Sequence, residues 1–172
     1  QVDALFNAVR AATNDEREGS LFGGLLAVRF GREGLRAHVR QFIARLQTMT
    51  IKNSDHSLLD ALLYIAACHA AGIPGLNENV LADLVGVPRH WVRSDVVWPL
   101  GEEAVIGANA GYVFTRHRQV AGVILDVAEE SFGLDIAERW AALVHGAVKT
   151  GRDIHFGDAS FPRIVHAGPR LE

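Results

Sequence analysis

The sequence is poor in the residue types that mark metal and nucleophile chemistry. Its 172 residues include one cysteine, Cys68, which excludes an intramolecular disulfide and a zinc site made from paired cysteines. The eight histidines show no ligand spacing, and neither an H-E-x-x-H nor a G-x-S-x-G motif occurs. The phosphate loop G-x-x-x-x-G-K-S/T is also missing. The sequence therefore predicts no catalytic residue, no metal ligand and no cofactor site within this chain, and no enzyme activity for the chain alone.

Long apolar runs are missing too. The longest, from Leu58 to Ala71, is interrupted by Asp60 and His69, so we expect no membrane span and no membrane partner. Apolar residues make up 49% and charged residues 22%, as in globular proteins. The net charge of −3 argues against a dedicated nucleic-acid binder. With one cysteine and no signal-peptide pattern, we predict a cytoplasmic protein. Because helical spacing begins directly at Gln1, we expect the chain to be part of a longer polypeptide.

Helical periodicity dominates the first third. Apolar residues between Val2 and Ala12 follow helical spacing, and a buried segment that starts at Leu21 is predicted to end at Phe30-Gly31. A further helix with one apolar face is predicted from Glu33 to Met49. Its other side is basic, which is typical of a solvated face but would also suit a phosphate or an acidic partner. We predict that residues 1–52 form a helical segment like a lid.

The middle of the chain has the element order of a winged helix. A capping-box pattern of Ser57 and Asp60 begins a helix over Leu58–Ala71, which is followed by a short helix with Asn77 as its N-cap. A third helix starts near Pro88 and should end before Pro99, and the helix that follows Arg118 should end at Gly133. A β-hairpin is then predicted, with strands Ala104–Ile106 and Tyr112–Thr115 around the loop Gly107–Gly111. The predicted fold is mainly α: a helical lid-like bundle, a winged-helix domain with one β-hairpin over residues 53–132, and a C-terminal helix and linker over residues 133–172.

The third helix of this domain is the first candidate surface. Arg89, His90 and Arg93 would face outward, as the groove-reading residues of a DNA-binding winged helix do. Two tryptophans, Trp91 and Trp98, would occupy much of the remaining surface, and the hairpin loop has no lysine or arginine to hold a phosphate backbone. The pattern therefore favours packing against protein over contact with DNA.

The second candidate surface is the segment Thr115-Arg116-His117-Arg118, where the hairpin ends and a helix begins. Its cationic side chains join the positive end of a helix dipole, a combination that suits an anion such as a nucleotide phosphate. Alternatively, these residues form salt bridges with Glu102, Glu103 or a neighbouring domain.

Three segments together carry a family resemblance. The helix from Leu58-Leu59-Asp60-Ala61 to Ala71, the segment Asn79 to Pro88, and the hairpin with Thr115-Arg116-His117-Arg118 resemble the C-terminal side of STAND-type P-loop NTPases, the signalling relatives of AAA+ ATPases. The resemblance covers about residues 20–130. In that family a helical lid and a winged helix follow the nucleotide-binding core, and a histidine after the wing contacts the phosphates of ADP in the inactive state.

The resemblance implies a function that this chain does not carry alone. By order of elements His117 takes the place of the phosphate-contacting histidine, with Arg116 beside it, although Arg-His-Arg replaces the family's usual Met-His-Asp. The chain would be the regulatory part of an ATP-dependent switch, packing on its own nucleotide-binding core. That core would bind ATP or ADP with Mg, make the full-length protein an ATPase, and allow a homo-oligomer on activation. The alternatives are a DNA-binding transcriptional regulator and a scaffold whose terminal helices dock a partner.

Overall fold

The computed structural model describes residues 21–102, 105–153 and 164. In chain order its elements are α1 (Leu21–Gln47), α2 (Leu58–Ala70), β1 (Leu76–Asn77), α3 (Glu78–Leu84), α4 (Trp98–Glu102), β2 (Ile106–Asn109), β3 (Tyr112–Thr115), α5 (Arg118–Phe132) and α6 (Ile136–Asp153). The mainly α fold with one β-hairpin is confirmed. The first predicted helix, between Val2 and Ala12, and the C-terminal linker lie outside the described residues.

Local capping interactions set the ends of several helices where the sequence predicts them. Ser57 begins α2 through a reciprocal capping box with Asp60, and Asn77 caps α3 by accepting from the backbone N–H of Asn79. Gly133 ends α5 in the left-handed conformation at φ 62°, which costs glycine little because it has no Cβ. These boundaries depend on residues close in the chain, and the sequence predictions for them are confirmed.

Two helix predictions are wrong. The break expected at Phe30-Gly31 does not occur, because α1 runs without interruption from Leu21 to Gln47. A glycine inside a helix costs only about 1 kcal/mol, which packing of the helix can offset. The third helix was expected to end before Pro99, yet α4 contains this proline. A π-helical turn over Arg93–Val97 precedes it, in which the N–H of Trp98 donates to the carbonyl of Arg93. This wider turn places Pro99 in the first turn of α4. A residue in the first turn of an α-helix needs no N–H hydrogen bond within the helix, so proline is tolerated there.

A three-stranded antiparallel sheet completes the winged helix. Its order is β1-β3-β2, with Leu76 opposite Val113 and Ile106 opposite Thr115. The second hairpin strand is confirmed at Tyr112–Thr115, whereas the first begins at Ile106 and includes part of the predicted loop. Strand β1 is two residues long and was not predicted from the sequence. A turn at Ala110-Gly111, with φ values of 50° and 83°, joins the two longer strands.

The core is built around α2, which is buried along most of its length and packs against α1, α5, α6 and β3. Helix α6 packs mainly on α3 and is fixed by ion pairs near both ends: Arg139 to Asp60 at 2.7 Å and Lys149 to Asp83 at 2.5 Å. One continuous cluster of buried apolar side chains extends from Val39 in α1 to residues of α6 and includes Ile164. The three-segment division of the chain stays a prediction.

The basic face predicted for α1 contacts another helix. Arg36 is paired with Glu130 and with Asp126 of α5, and Arg40 Nε donates to Ser131 Oγ at 3.1 Å. The sequence leaves open whether this basic face is solvated or contacts an acidic partner. For Arg36 the acidic partner is α5 of the same chain. None of the helices that the structure describes is both long and apolar enough to cross a bilayer.

Candidate functional site

We call the hairpin of β2 and β3 the wing. His117 lies between this wing and α5, and it is the N-cap of the helix. Its backbone is extended (φ −151°, ψ 133°), and its Nδ1 accepts a hydrogen bond from the backbone N–H of Gln119 at 3.2 Å. An imidazole nitrogen that accepts carries no proton, so the neutral ring has its proton on Nε2. The side chain is 5% exposed, and Nε2 is buried with no hydrogen-bond partner among the described residues.

A buried donor without an acceptor is unusual in a folded protein. Most buried polar atoms are paired, and leaving one unpaired costs about 1 to 3 kcal/mol. The arrangement at His117 therefore suits an acceptor oxygen supplied from outside the described residues. A carbonyl, a carboxylate or a phosphate could provide it, since each accepts from a neutral imidazole N–H.

Two further polar residues surround the N-cap: Thr115, to which the sequence gives no separate role within the candidate segment, and His69, which the sequence does not single out. Thr115, with no exposed surface, is at the end of β3, and its hydroxyl donates to the carbonyl of His117 at 3.3 Å. The Nδ1 of His69, in the last turn of α2, lies 2.5 Å from the same hydroxyl oxygen. Val113 and Thr115 are the inward positions of β3. A threonine at an inward strand position is the one sequence signal that could have pointed to this cluster.

Each of the two arginines beside His117 is exposed and donates one hydrogen bond from its Nε to a backbone carbonyl. Arg116 donates from Nε to the carbonyl of Ile106 at 3.3 Å, and Arg118 donates from Nε to the carbonyl of Ala70 at 3.1 Å. Within the described parts of the chain neither is paired with a carboxylate, so the alternative of a salt bridge to Glu102 is not what the structure has. Glu103 lies outside the described residues. Both arginines are exposed and adjoin the positive end of α5 in the chain, and the guanidinium of Arg118 lies against Gly72 at the end of α2.

The predicted DNA-reading residues lie on a helical segment of changing pitch between α3 and α4. A 3₁₀ turn over Arg89–Trp91 leads into the π-helical turn, and Val92 and Val96 point into the core with no exposed surface. Arg89 and His90 are exposed, as the sequence predicts. Arg93 is also at the surface but is held by Glu78 through both carboxylate oxygens, at 3.1 and 3.0 Å from Nε. The hydrogen bond and the charge of Glu78 raise the pKa of Arg93. One of the three predicted contacts is therefore already neutralised within the chain.

Two tryptophans dominate the outer face of this segment. Trp98 is 68% exposed and Trp91 is 40% exposed, and the ring of His90 packs edge-on to that of Trp91 at 5.3 Å. The wing turn nearby, Asn109 to Tyr112, carries no charged side chain. We call the exposed surface of this segment, which includes Trp91 and Trp98 together with the polar residues Arg93 and Ser94, the tryptophan face. It presents large aromatic side chains at the position where a DNA-binding winged helix would present cations.

Among residues 21–102, 105–153 and 164, no group of three or more histidine, cysteine or acidic side chains could hold a metal ion. Comparison of the chain with protein-family models, with curated proteins and with solved structures found no match. The function must therefore be argued from the residues and from the geometry described above.

Proposed function

We propose that this chain is the regulatory part of a multidomain ATP-dependent signalling switch. In this proposal the helical lid and the winged helix pack on a nucleotide-binding core outside the chain, and the junction between the wing and α5 senses the bound nucleotide. ATP or ADP and Mg would be held by that core. The full-length protein would be the ATPase, and release of the winged helix would allow it to form a homo-oligomer in the cytoplasm.

The observation that carries the proposal is the state of His117. Its Nδ1 is occupied by the N-cap hydrogen bond, so Nε2 is a donor, and this buried donor has no partner among the described residues. It belongs to the N-cap of a 15-residue helix, whose N-terminus attracts negative charge. A phosphate oxygen is an acceptor that also gains from this positive end and from the exposed guanidinium of Arg116.

Burial of His117 sets the order of events in this scheme. Arg116 is exposed, so it would meet the phosphate first, whereas Nε2 of His117 becomes accessible only when the side chains over the ring move aside. The contact at His117 would therefore exist in one of two arrangements of the winged helix on its core. A ligand that binds one arrangement more tightly shifts the population toward it, which is what a nucleotide switch requires.

The tryptophan face supports a protein partner. Trp91 and Trp98 are aromatic residues of the type that anchors protein interfaces, and few other apolar side chains of their size are exposed in the described residues. The pairing of Arg93 with Glu78 removes positive charge that a phosphate backbone would need. In the proposal, this face packs on the nucleotide-binding core in the resting state.

The first experiment is His117→Ala in the full-length protein, with His145→Ala as the matched control on the exposed surface of α6. Co-purified ADP is quantified after denaturation, and release of a fluorescent ADP analogue is timed. A hydrogen bond to a charged group contributes about 1.5 to 3 kcal/mol, so His117→Ala should speed ADP release about tenfold or more. His145→Ala should release ADP at the wild-type rate. Equal release from the wild type and the His117 variant would refute the contact.

DNA binding remains the second candidate, because Arg89 and His90 are exposed on the helical segment that would enter a groove. The test is a mobility shift of random duplex DNA by the 172-residue chain at low ionic strength, repeated with Arg89→Ala. Binding that weakens steeply with salt and with the Arg89 variant would favour a transcriptional regulator. Unshifted DNA at low salt would leave the protein-packing role.

A further inference from the structure

The hydrogen bonds around His117 indicate where the protons of two histidines lie. A carbonyl can only accept, so the hydrogen bond of 3.3 Å from the Thr115 hydroxyl to the carbonyl of His117 uses the single proton of that hydroxyl. With its proton there, the hydroxyl oxygen accepts from His69, whose Nδ1 lies 2.5 Å away and is the donor in the Nδ1–H tautomer. His117 is the reverse case, since its Nδ1 accepts from Gln119 and its proton lies on Nε2. This assignment places the two imidazoles in opposite tautomers.

We propose that Thr115 and His69 are positioning residues for His117. The Thr115 hydroxyl and the N–H of Ala121 both donate to the His117 carbonyl, at 3.3 and 3.1 Å, where the chain changes from strand to helix. Holding this carbonyl fixes the backbone of the N-cap, and the N-cap geometry in turn keeps Nδ1 on Gln119 and the proton on Nε2. His69 holds the hydroxyl oxygen and so directs its proton toward the carbonyl.

This relay connects α2 with the junction of β3 and α5, and His69 lies 46 residues before Thr115 in the chain. His69 closes α2, Thr115 closes β3 and His117 opens α5. A shift of α2 or of the wing would be transmitted to the donor at Nε2 through two hydrogen bonds. The nucleotide readout of this inference rests on the proposed function, whereas the tautomers can be measured without it.

The decisive variant is Thr115→Val, which keeps the shape of the side chain and removes the hydroxyl. Thr115→Ser restores the hydroxyl and serves as the rescue. The matched control is Thr150→Val, because Thr150 is also buried, at 2% exposure, and its hydroxyl has no partner among the described residues. A purely structural effect of replacing a buried threonine would appear in both valine variants.

The first readout is the imidazole ¹⁵N spectrum of the 172-residue chain at about pH 8, where an ordinary imidazole is neutral. The wild type should show the Nδ1–H tautomer at His69 and the Nε2–H tautomer at His117. Thr115→Val should mix the tautomers of both rings and speed amide exchange at Gln119, while Thr115→Ser and Thr150→Val should resemble the wild type. An Nε2–H tautomer at His69 in the wild type would overturn the relay, even if Thr115→Val fails to fold.

The second readout is ADP release from the full-length protein. Thr115→Val should speed release in the same direction as His117→Ala and add nothing to it in the double variant, because both act through one contact. If His117→Ala leaves ADP release unchanged while Thr115→Val alters the tautomers, the relay holds and the proposed function fails. If Thr115→Val leaves the imidazole spectrum unchanged while His117→Ala speeds release, the relay is overturned and the proposed function stands.

Discussion

Replacement of a helix glycine by alanine should have opposite effects at Gly146 and Gly122. Gly146 is in α6 where it crosses α3, and an added Cβ would lie 2.9 Å from Cδ2 and 3.1 Å from Cγ of Leu84. Carbon atoms that are not bonded prefer a separation of about 3.5 to 4.0 Å. Because Cγ is too close as well as Cδ2, turning one methyl group does not relieve the overlap. Gly122 in α5 has no heavy atom within 4 Å of the same added Cβ.

The expected magnitudes follow from two opposing effects. Alanine in place of glycine stabilises a helix interior by about 0.5 to 1 kcal/mol. Gly122→Ala should show this gain alone, which corresponds to a rise in Tm of roughly 1 to 4 °C for a chain of this size. At Gly146, overpacking against Leu84 costs about 1 to 3 kcal/mol and exceeds the helix gain. Gly146→Ala should therefore lower the free energy of unfolding by up to about 2 kcal/mol.

Urea and thermal unfolding followed by circular dichroism measure both variants. A third variant separates the two effects: in a Leu84→Ala background the overlap is gone, so Gly146→Ala should stabilise by about the same amount as Gly122→Ala. An increase of Tm for Gly146→Ala in the wild-type background, equal to that of Gly122→Ala, would refute the close packing of α6 on α3.

Three other predictions concern single residues. Ala110→Asn should raise the free energy of unfolding by about 0.5 to 1 kcal/mol, because asparagine tolerates the φ of 50° at this turn position better than alanine. The urea midpoint should rise accordingly, and a lower midpoint would contradict the prediction. Burial raises the pKa of Asp60, but its capping hydrogen bonds and the charge of Arg139 outweigh burial and hold the pKa below the ordinary 3.8. The stabilisation from this carboxylate is therefore present above that pH and lost as the pH falls through the folded-state pKa. In Asp60→Asn the free energy of unfolding, measured as a function of pH, should fall less steeply below about pH 4 than in the wild type. The same steepness in both proteins would disprove the assignment. Trp98 is 68% exposed, so Trp98→Ala should change the free energy of unfolding of the isolated chain by less than about 0.5 kcal/mol. Trp140 is 8% exposed, so Trp140→Ala should lower the free energy of unfolding by about 3 to 5 kcal/mol. Equal losses for the two variants in urea unfolding would argue against a free tryptophan face.

The sequence predicts helix starts and stops well where the cause is local. Ser57 and Asp60 form the capping box within one turn, and Gly133 adopts its left-handed conformation because of its own lack of a side chain. It fails at Pro99 because a π-helical turn upstream, held by burial of Val92 and Val96, carries the chain past the proline. Local propensity is weak compared with burial of an apolar face, so packing overrides it.

Strand β1 shows the same limit. Two residues, Leu76 and Asn77, give no alternation that a pattern could detect, and they become a strand only because β3 offers them hydrogen-bonding partners. The sequence predicts that both tryptophans lie at the surface of the third helix, and the structure confirms that each of them is exposed. The pairing of Arg93 with Glu78 was not predicted, since it joins residues on two different helical segments.

At the wing junction, the sequence by itself determined that a histidine flanked by two arginines stands between a strand and a helix, because the order of elements follows from local periodicity. Only the tertiary structure decided what His117 can do. Its donor state depends on Gln119, which is local, but the hold on its backbone depends on Thr115 and on His69, which lies 46 residues before Thr115 in the chain. Hydrogen bonds between residues so far apart form only after α2 and β3 have packed, so the strand pattern can indicate an inward threonine but not its partner in α2.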